Sequence, residues 1–316
     1  MLNRCFAVVM VAGLLFLNVS AAKAQERDGI IGTIIEVEGT ATIASSGGAE
    51  APVKDDQPVY MGDVISTGAD GKAVLLLIDN TRWTLAERAK FRVDDYMFDA
   101  GDNTYNQARY SVLGGAFQYV SGLVAKKEDP DVAIETPAGS IGIRGTDFTA
   151  TPDAAGGYDV YVDEGAVNVK NEAGETLLKQ GEGSFVRDRK SAPGKPNAWR
   201  KERLEKMRGA VAMKRKEQIM KRIGDMKGRQ QALAQKYRDF MQKNPAMKAK
   251  MQQRREQRKQ QMQERLQERK GQMQENRQQQ MQERKEQIRE NMREKIEERR
   301  EQRQQQGVQP YRRLRQ

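Results

Sequence analysis

The sequence predicts an all-β domain, a sandwich or roll of short strands, followed by a long α-helical or coiled-coil tail of partly low complexity. Three observations predict it. Short β-branched and apolar runs, punctuated by Gly, Asn and Asp turn signals, fill residues 25–190. Beyond residue 197 the composition shifts to Arg, Lys, Gln, Glu and Met, all good helix formers. The charge divides at the same place. Residues 25–194 carry 16 Lys and Arg against 28 Asp and Glu, a net of −12, while residues 195–316 carry 37 against 16, a net of +21. The overall charge of +11 over 316 residues therefore comes from the tail, and the two halves are physically different objects.

Residues 1–24 read as a secretory signal peptide. Asn3 and Arg4 make its n-region, Cys5–Val19 its apolar stretch, and Ala22-Lys23-Ala24 a small-x-small cleavage site. That stretch is short for a spanning helix, and Cys5 stands ahead of it rather than behind it, unlike a lipid-bearing cysteine. The mature chain is expected in the periplasm, free or envelope-associated, with no spanning helix. Cleavage removes the single cysteine, so packing and not disulfides must hold the exported domain together.

In the β half, Ile30–Val37, Val74–Ile78, Phe91–Val93, Tyr158–Val162 and Ala166–Val169 have strand length. Val160–Val162 and Ala166–Val169 alternate as half-buried strands do. Val74–Ile78 is apolar throughout, as in a strand covered on both faces. Segments 34–43 and 160–169 echo each other as strand, acidic–glycine kink, strand. Each is followed by a Gly-acidic pair, Gly62-Asp63 and Gly181-Glu182. The expected meaning is a pair of hairpins, with an old duplication as the alternative.

The most patterned stretch is Thr136–Phe148, TPAGSIGIRGTDF, with Asp159–Val169 after it. Its glycines, Gly139, Gly142 and Gly145, relieve crowding or supply positive φ. Arg144 is the one long charged side chain in a small, apolar run. It is expected to be a buried organiser, its fork held by carbonyls or a carboxylate. A ligand-binding or edge-strand arginine is the alternative.

These residues carry a resemblance. The stretch resembles the T-P-x-(small)-x-(apolar)-x-(apolar)-R-G-T-x-F core of the FecR-type periplasmic domain. Gly62–Asp79 resembles that family's G-D-x-(apolar)-x-T-G segment, and Glu164–Val186 its closing E-G-x-(apolar) stretch. The resemblance spans about residues 30–187. The matching positions are Thr136, Pro137, Arg144, Gly145, Thr146, Phe148, Glu164, Gly165, Gly62 and Asp63, taken as structural motif residues. It implies periplasmic recognition of a protein or ligand. Family members of the anti-sigma type are inner-membrane regulators with a spanning helix ahead of the domain. Here the domain is expected to follow the signal peptide directly, so signalling of that type would act through the periplasmic domain alone.

Several function classes are disfavoured. There is no histidine anywhere, and none of Ser66, Ser111, Ser121, Ser140 and Ser184 has the usual base available. Glycosidases need only two carboxylates, but nothing in the sequence places two around a cleft. The protein is expected to be non-catalytic, with no cofactor and no metal site; carboxylate-only chemistry is the alternative.

The segment 191–197, SAPGKPN, reads as a linker. Asn244-Pro245 divides the tail into helical arms of about 198–243 and 246–306, with 307–316 expected to be disordered. In the first arm Ile219, Met226, Leu233 and Phe240 recur every seven residues, Ile223 and Tyr237 fall four later, and Gln230 interrupts. That is a short heptad seam. The second arm repeats every eleven residues from Met251, Met262, Met281 and Met292, with a shortened unit at Met273. Eleven residues are close to a whole number of turns, so the methionines form one stripe. Ile288 and Ile296 thicken it into a docking stripe. Neighbouring methionines would stand roughly 16 Å apart on a helix, too far to share one copper ion. Export and the scarcity of stacking aromatics argue against nucleic acid. The expected partner is a protein or an anionic envelope component, with self-association through the tail and folding back onto the acidic domain as further options. A stop after Ala192 should leave binding to a specific partner intact if the β domain is the receptor, and should abolish envelope association, in a salt-sensitive way, if the tail is the anchor.

Overall fold

The computed structural model describes residues 29–305, apart from 46, 47, 102, 104, 105 and 128. The expected signal peptide and C-terminal end lie outside that range. The β part opens with β1 (Ile30–Glu38), β2 (Ala41–Ala44), β3 (Glu50–Pro52), β4 (Pro58–Tyr60), β5 (Val64–Thr67), β6 (Lys72–Leu77), β7 (Arg82–Leu85) and β8 (Lys90–Met97). It continues through β9 (Gln107–Gly114), β10 (Phe117–Val120), a 3₁₀ turn at Leu123–Ala125, β11 (Asp131–Thr136), β12 (Gly139–Pro152), β13 (Tyr158–Asn171), β14 (Gly174–Lys179) and β15 (Gly183–Val186). Four helices follow: α1 (Lys201–Val211), α2 (Lys216–Asp225), α3 (Lys227–Lys243) and α4 (Pro245–Gln305). The all-β domain followed by helices is thus the observed architecture.

The chain divides into two compact units, one ending at Lys243 and one beginning at Asn244. The boundary expected at 191–197 falls inside the first unit. Instead of forming one rod, the first arm is three helices, interrupted where Ala212 turns extended (ψ 131) and again at Met226. The reason lies in its apolar stripe, which is buried on the β domain rather than on another helix. The second arm is the single helix α4, with Pro245 at its first position, where a missing N–H costs nothing. Its 61 residues give a rod of about 90 Å.

The strands form one hydrogen-bonded system in the order β3-β2-β5-β8-β9-β11-β12-β10-β7-β6-β1-β4, with β13 added to β12 and flanked by β14 and β15. The ladders are antiparallel except β9–β11. Trp83 on β7 lies 4.5 Å from Phe91 on β8 and 4.9 Å from Tyr110 on β9, ring to ring. These strands stand far apart in the ladder order, so the sheet must curl over and pack on itself. Phe117, Tyr119 and Phe148 close the same aromatic core. Asp79 is fully buried. It accepts from Thr81 N and Oγ1 at 3.1 and 2.7 Å and from Val124 N at 3.1 Å, tying the β6–β7 turn to the 3₁₀ turn.

Neither echoed segment is a hairpin. β1 pairs with β4 and β6, while β2, beyond Gly39, pairs with β3 and β5. β13 runs unbroken through Glu164-Gly165, pairing with β15 before the kink and β14 after it. Each acidic–glycine kink is a corner where a strand changes partners, with Gly39 at φ +66° and Gly165 at φ +80°. The two Gly-acidic pairs close the same kind of turn. Asp63 Oδ2 accepts from Tyr60 N at 3.0 Å, and Glu182 Oε2 accepts from Lys179 N at 2.8 Å.

Candidate recognition site

The motif residues do not gather into one site. Thr136 and Pro137 form the β11–β12 turn, where Thr136 Oγ1 donates to Gly139 O at 2.7 Å. Gly62-Asp63 shapes the separate turn ahead of β5, and Phe148 is in the aromatic core. Only Arg144, Gly145, Thr146, Glu164 and Gly165 lie together. There β12 pairs with β11 up to Gly142 and with β10 from Asp147, and the β12–β13 register shifts between Arg144 and Asp147. Ser121 clamps this corner, its Oγ accepting from Thr146 N at 2.7 Å and its N donating to Thr146 O at 2.8 Å.

The expectation of Arg144 as a buried organiser fails. Its side chain is exposed, and among the described residues no hydrogen bond or ion pair holds it. The backbone performs the organising through Gly145 at φ +62° and Gly165 packed against it, so the arginine fork is left at the surface.

Beyond this corner, alternation divides β7, β10 and β12 into two faces. Trp83, Tyr119 and Phe148 point into the core. Arg82, Thr84, Gln118, Asp147 and Thr149 point the other way and floor a cleft of about 410 Å³. Its roof is the α1–α2 connection, with Val211, Met213, Ile219 and Met220. Asp147 belongs to the TPAGSIGIRGTDF motif, and register places Glu164 across from it on β13. Gln118 Nε2 donates to Asp147 Oδ1 at 2.8 Å.

Helices α1–α3 wrap this outer face as a basic strap. Trp199, just ahead of α1, stacks 5.6 Å from Tyr161, and the Arg203 guanidinium lies 3.8 Å above the Trp199 ring. Arg203 pairs with Asp159 at 2.6 Å and Arg208 with Asp163 at 2.5 Å. Arg215 and Arg222 converge on Glu36 at 2.8 and 2.9 Å. Arg222 also reaches Asp55 at 2.9 Å and Asp56 at 3.3 Å, and Arg238 reaches Asp99 at 3.3 Å. Between the arginines, Ile219 and Met226 pack on Ile35, Val74 and Leu76. Val74 and Leu76 thus meet the strap while Leu75 and Leu77 are buried in the core, which explains why the run from Val74 is apolar throughout. Tyr237 OH donates to Tyr96 O at 2.9 Å.

The anchoring arginines escaped the reading of the sequence, although a signal was present. Arg208, Arg215, Arg222 and Arg229 recur every seven residues, and Arg215, Arg222 and Arg229 each stand four ahead of Ile219, Met226 and Leu233. An arginine stripe in register with an apolar stripe marks a helix made to lie on an acidic surface.

Two predictions arise here. Glu36 is almost wholly buried and depends on its arginines. Replacing Arg222 by Met should lower unfolding stability by about 2 kcal/mol, as for a charged partner removed from a buried carboxylate. Urea titration of Arg222→Met, Glu36→Gln and the double variant tests this, since the double variant should recover part of the loss. Asp147 behaves oppositely. Burial raises its pKa, Asp163 and Glu164 add to the rise, and Gln118 and Arg82 oppose it. A carboxyl whose folded pKa exceeds its unfolded one gives most stability when protonated, and that contribution is lost as pH rises through the folded value. Asp147→Asn should therefore raise Tm at neutral pH and leave it unchanged at a pH below the ordinary carboxylate range. Equal shifts at both pH values would contradict this.

In the α4 unit, Met281, Ile288, Met292 and Ile296 are exposed by 59, 50, 59 and 52%. Met251, Met262 and Met273 fall within α4, with their side chains outside the described set. Among the described residues no helix is long and apolar enough to cross a membrane.

Fold and site together define a β-rich domain that carries its own basic helical cover. Residues 63–168 match the family model described as FecR protein, so this stretch is a FecR domain. The match is narrower than the resemblance at 30–187 and leaves β1–β4, β14, β15 and all the helices outside. Among solved structures, the chain is similar to a cell surface anchoring domain at 26% identity, covering 19% of this chain and 80% of that one, with a TM-score of 0.19. Two crystal structures of a candidate anti-sigma factor from Parabacteroides distasonis ATCC 8503 align at 16% identity over 41% of this chain, with a TM-score of 0.34. The chain spans 57% of the length of that protein. These overlaps are too slight to transfer fold or function. No curated protein matches the chain.

Proposed function

We propose that this is an exported, non-catalytic periplasmic binding or scaffold protein. Its FecR-containing β domain recognises a protein or ligand, and its basic helix α4 engages anionic envelope components or a second copy of the chain. The charge division supports this reading most directly. Carboxylates of the acidic β domain are paired with arginines of α1–α3, whereas the described cations of α4, from Arg284 to Arg300, are exposed and flank an exposed apolar stripe. Basic residues near an anionic surface contribute about 1 kcal/mol each before screening. Flotation of full-length protein with anionic vesicles should therefore succeed at low salt and fall as salt rises. A chain ending at Lys243 should not float. Equal flotation of the two would remove α4 from the reading. The alternative, a regulator of the anti-sigma FecR type acting through its periplasmic domain alone, is favoured by the family match at residues 63–168. Capture of a signalling partner by the Lys243-terminated chain, without need of α4, would select it.

A further inference from the structure

We propose that the cleft between the β7–β10–β12 face and the α1–α2 connection binds a small zwitterion with an apolar body, a free amino acid or dipeptide. This rests on the reading of the β domain as the recognising part and gives its ligand a chemical class. The first support is the way the cleft separates charge. Arg82 and Asp147 are both in register with Val120 of β10, so they flank it on neighbouring strands, about 10 Å apart along the sheet. Arg82 points toward the roof, its Nη1 lying 3.2 Å from Met220 Sδ. Among the described residues it makes no salt bridge. Lys216 stands one helical turn before Met220 and lines the same end. This is the cationic end. The acidic end holds Asp147, with Asp163 beside it already engaged by Arg208.

A second, independent observation points to a ligand. Thr149 is 1% exposed, yet its Oγ1 has no hydrogen-bond partner while it lines the cleft. A buried hydroxyl left unpaired costs free energy, and a bound group could satisfy it. Thr149 lies two residues beyond Asp147 on the same face of β12. Carboxylate and hydroxyl together form a suitable cradle for an ammonium, which donates in three directions. Between the two ends, Val211, Met213, Ile219 and Met220 offer an apolar roof with adaptable thioethers. A ligand carrying a carboxylate toward Arg82 and Lys216, an ammonium toward Asp147 and Thr149, and an apolar side chain toward the methionines meets every one of these groups. The volume of about 410 Å³ is in the range of small-molecule sites.

Titration calorimetry on the full chain tests this with leucine, leucyl-leucine, N-acetyl-leucine and leucinamide, each up to about 10 mM. One or both zwitterions should bind, and the two sizes show whether an amino acid or a dipeptide is the better fit. Each singly blocked form should bind about tenfold more weakly than leucine or not at all. Arg82→Gln should weaken the zwitterion about tenfold and leave any leucinamide binding unchanged. Asp147→Asn should do the converse with N-acetyl-leucine. Thr149→Val, which replaces the unpaired hydroxyl by a methyl and should melt at least as high as the parent, should also weaken the zwitterion. No binding by either zwitterion overturns the proposal, as do blocked forms that bind equally well or affinities indifferent to all three substitutions. Vesicle flotation that persists alongside absent zwitterion binding would overturn this assignment while leaving the proposed function of α4 standing.

Discussion

Gly165→Ala is expected to cost about 3–5 kcal/mol of folding stability, among the largest losses a single substitution gives. Gly165 sits at φ +80°, and a Cβ there would stand 2.1 Å from the carbonyl oxygen of Gly145. The φ penalty alone is roughly 1–2 kcal/mol for an L side chain. The remainder comes from the clash, because the atom struck is backbone and cannot rotate away. Relief requires parting β12 from β13 at the corner where both strands change partners. Gly181 is the matched control: its φ is +82°, and a Cβ there would meet nothing within 4 Å. Gly181→Ala should cost only the φ penalty, about 1–2 kcal/mol. Urea midpoints for both variants separate the contributions, and equal costs would mean that the corner yields easily.

The second large effect concerns where the chain may be cut. A chain ending at Lys243 should melt cooperatively at the same temperature as the full-length protein. A chain ending at Ala192 should lose about 2–5 kcal/mol, comparable to emptying a core site, and should associate in solution. The second cut removes Met207, Val211, Ile219, Met226, Leu233, Tyr237 and Met241, all buried in the first unit. It uncovers Ile35, Val74 and Leu76 and strands Glu36 without either arginine. Differential scanning calorimetry with sizing chromatography measures both outcomes. A stable, monomeric Ala192-terminated chain would show that α1–α3 merely rest on a finished domain. The sequence suggests that cut, because the linker 191–197 looks like a boundary and the charge changes sign there.

How far the sequence can be read is clear from particular residues. The run VLLLI at 74–78 announces a strand covered on both faces, and the heptad of Ile219, Met226 and Leu233 announces a buried helical stripe. Both readings are local, since each follows from a side-chain period. What neither contains is that the two meet. The same seven-residue period suits a helical partner, a second copy or a sheet, and only tertiary contact selects the sheet. Arg144 shows the opposite case. Its isolation among small residues looked like a buried site, but two facing glycines already supply the bend, and the long side chain is left outside.

By itself the sequence determined the β domain, a helical tail with a break at Asn244-Pro245, and the resemblance to the FecR motif. The first two are written in periodicity and composition along the chain, and the last is a resemblance carried by particular residues. The tertiary structure alone decided that α1–α3 belong to the β unit, that Asp147, Thr149 and Arg82 share a cleft, and that the acidic–glycine kinks are corners and not hairpins. The physical reason is that strand pairing and ion pairing join residues distant in sequence. A strand carries the same alternation whichever neighbour it takes, so its partners are fixed only when the whole sheet curls around Trp83.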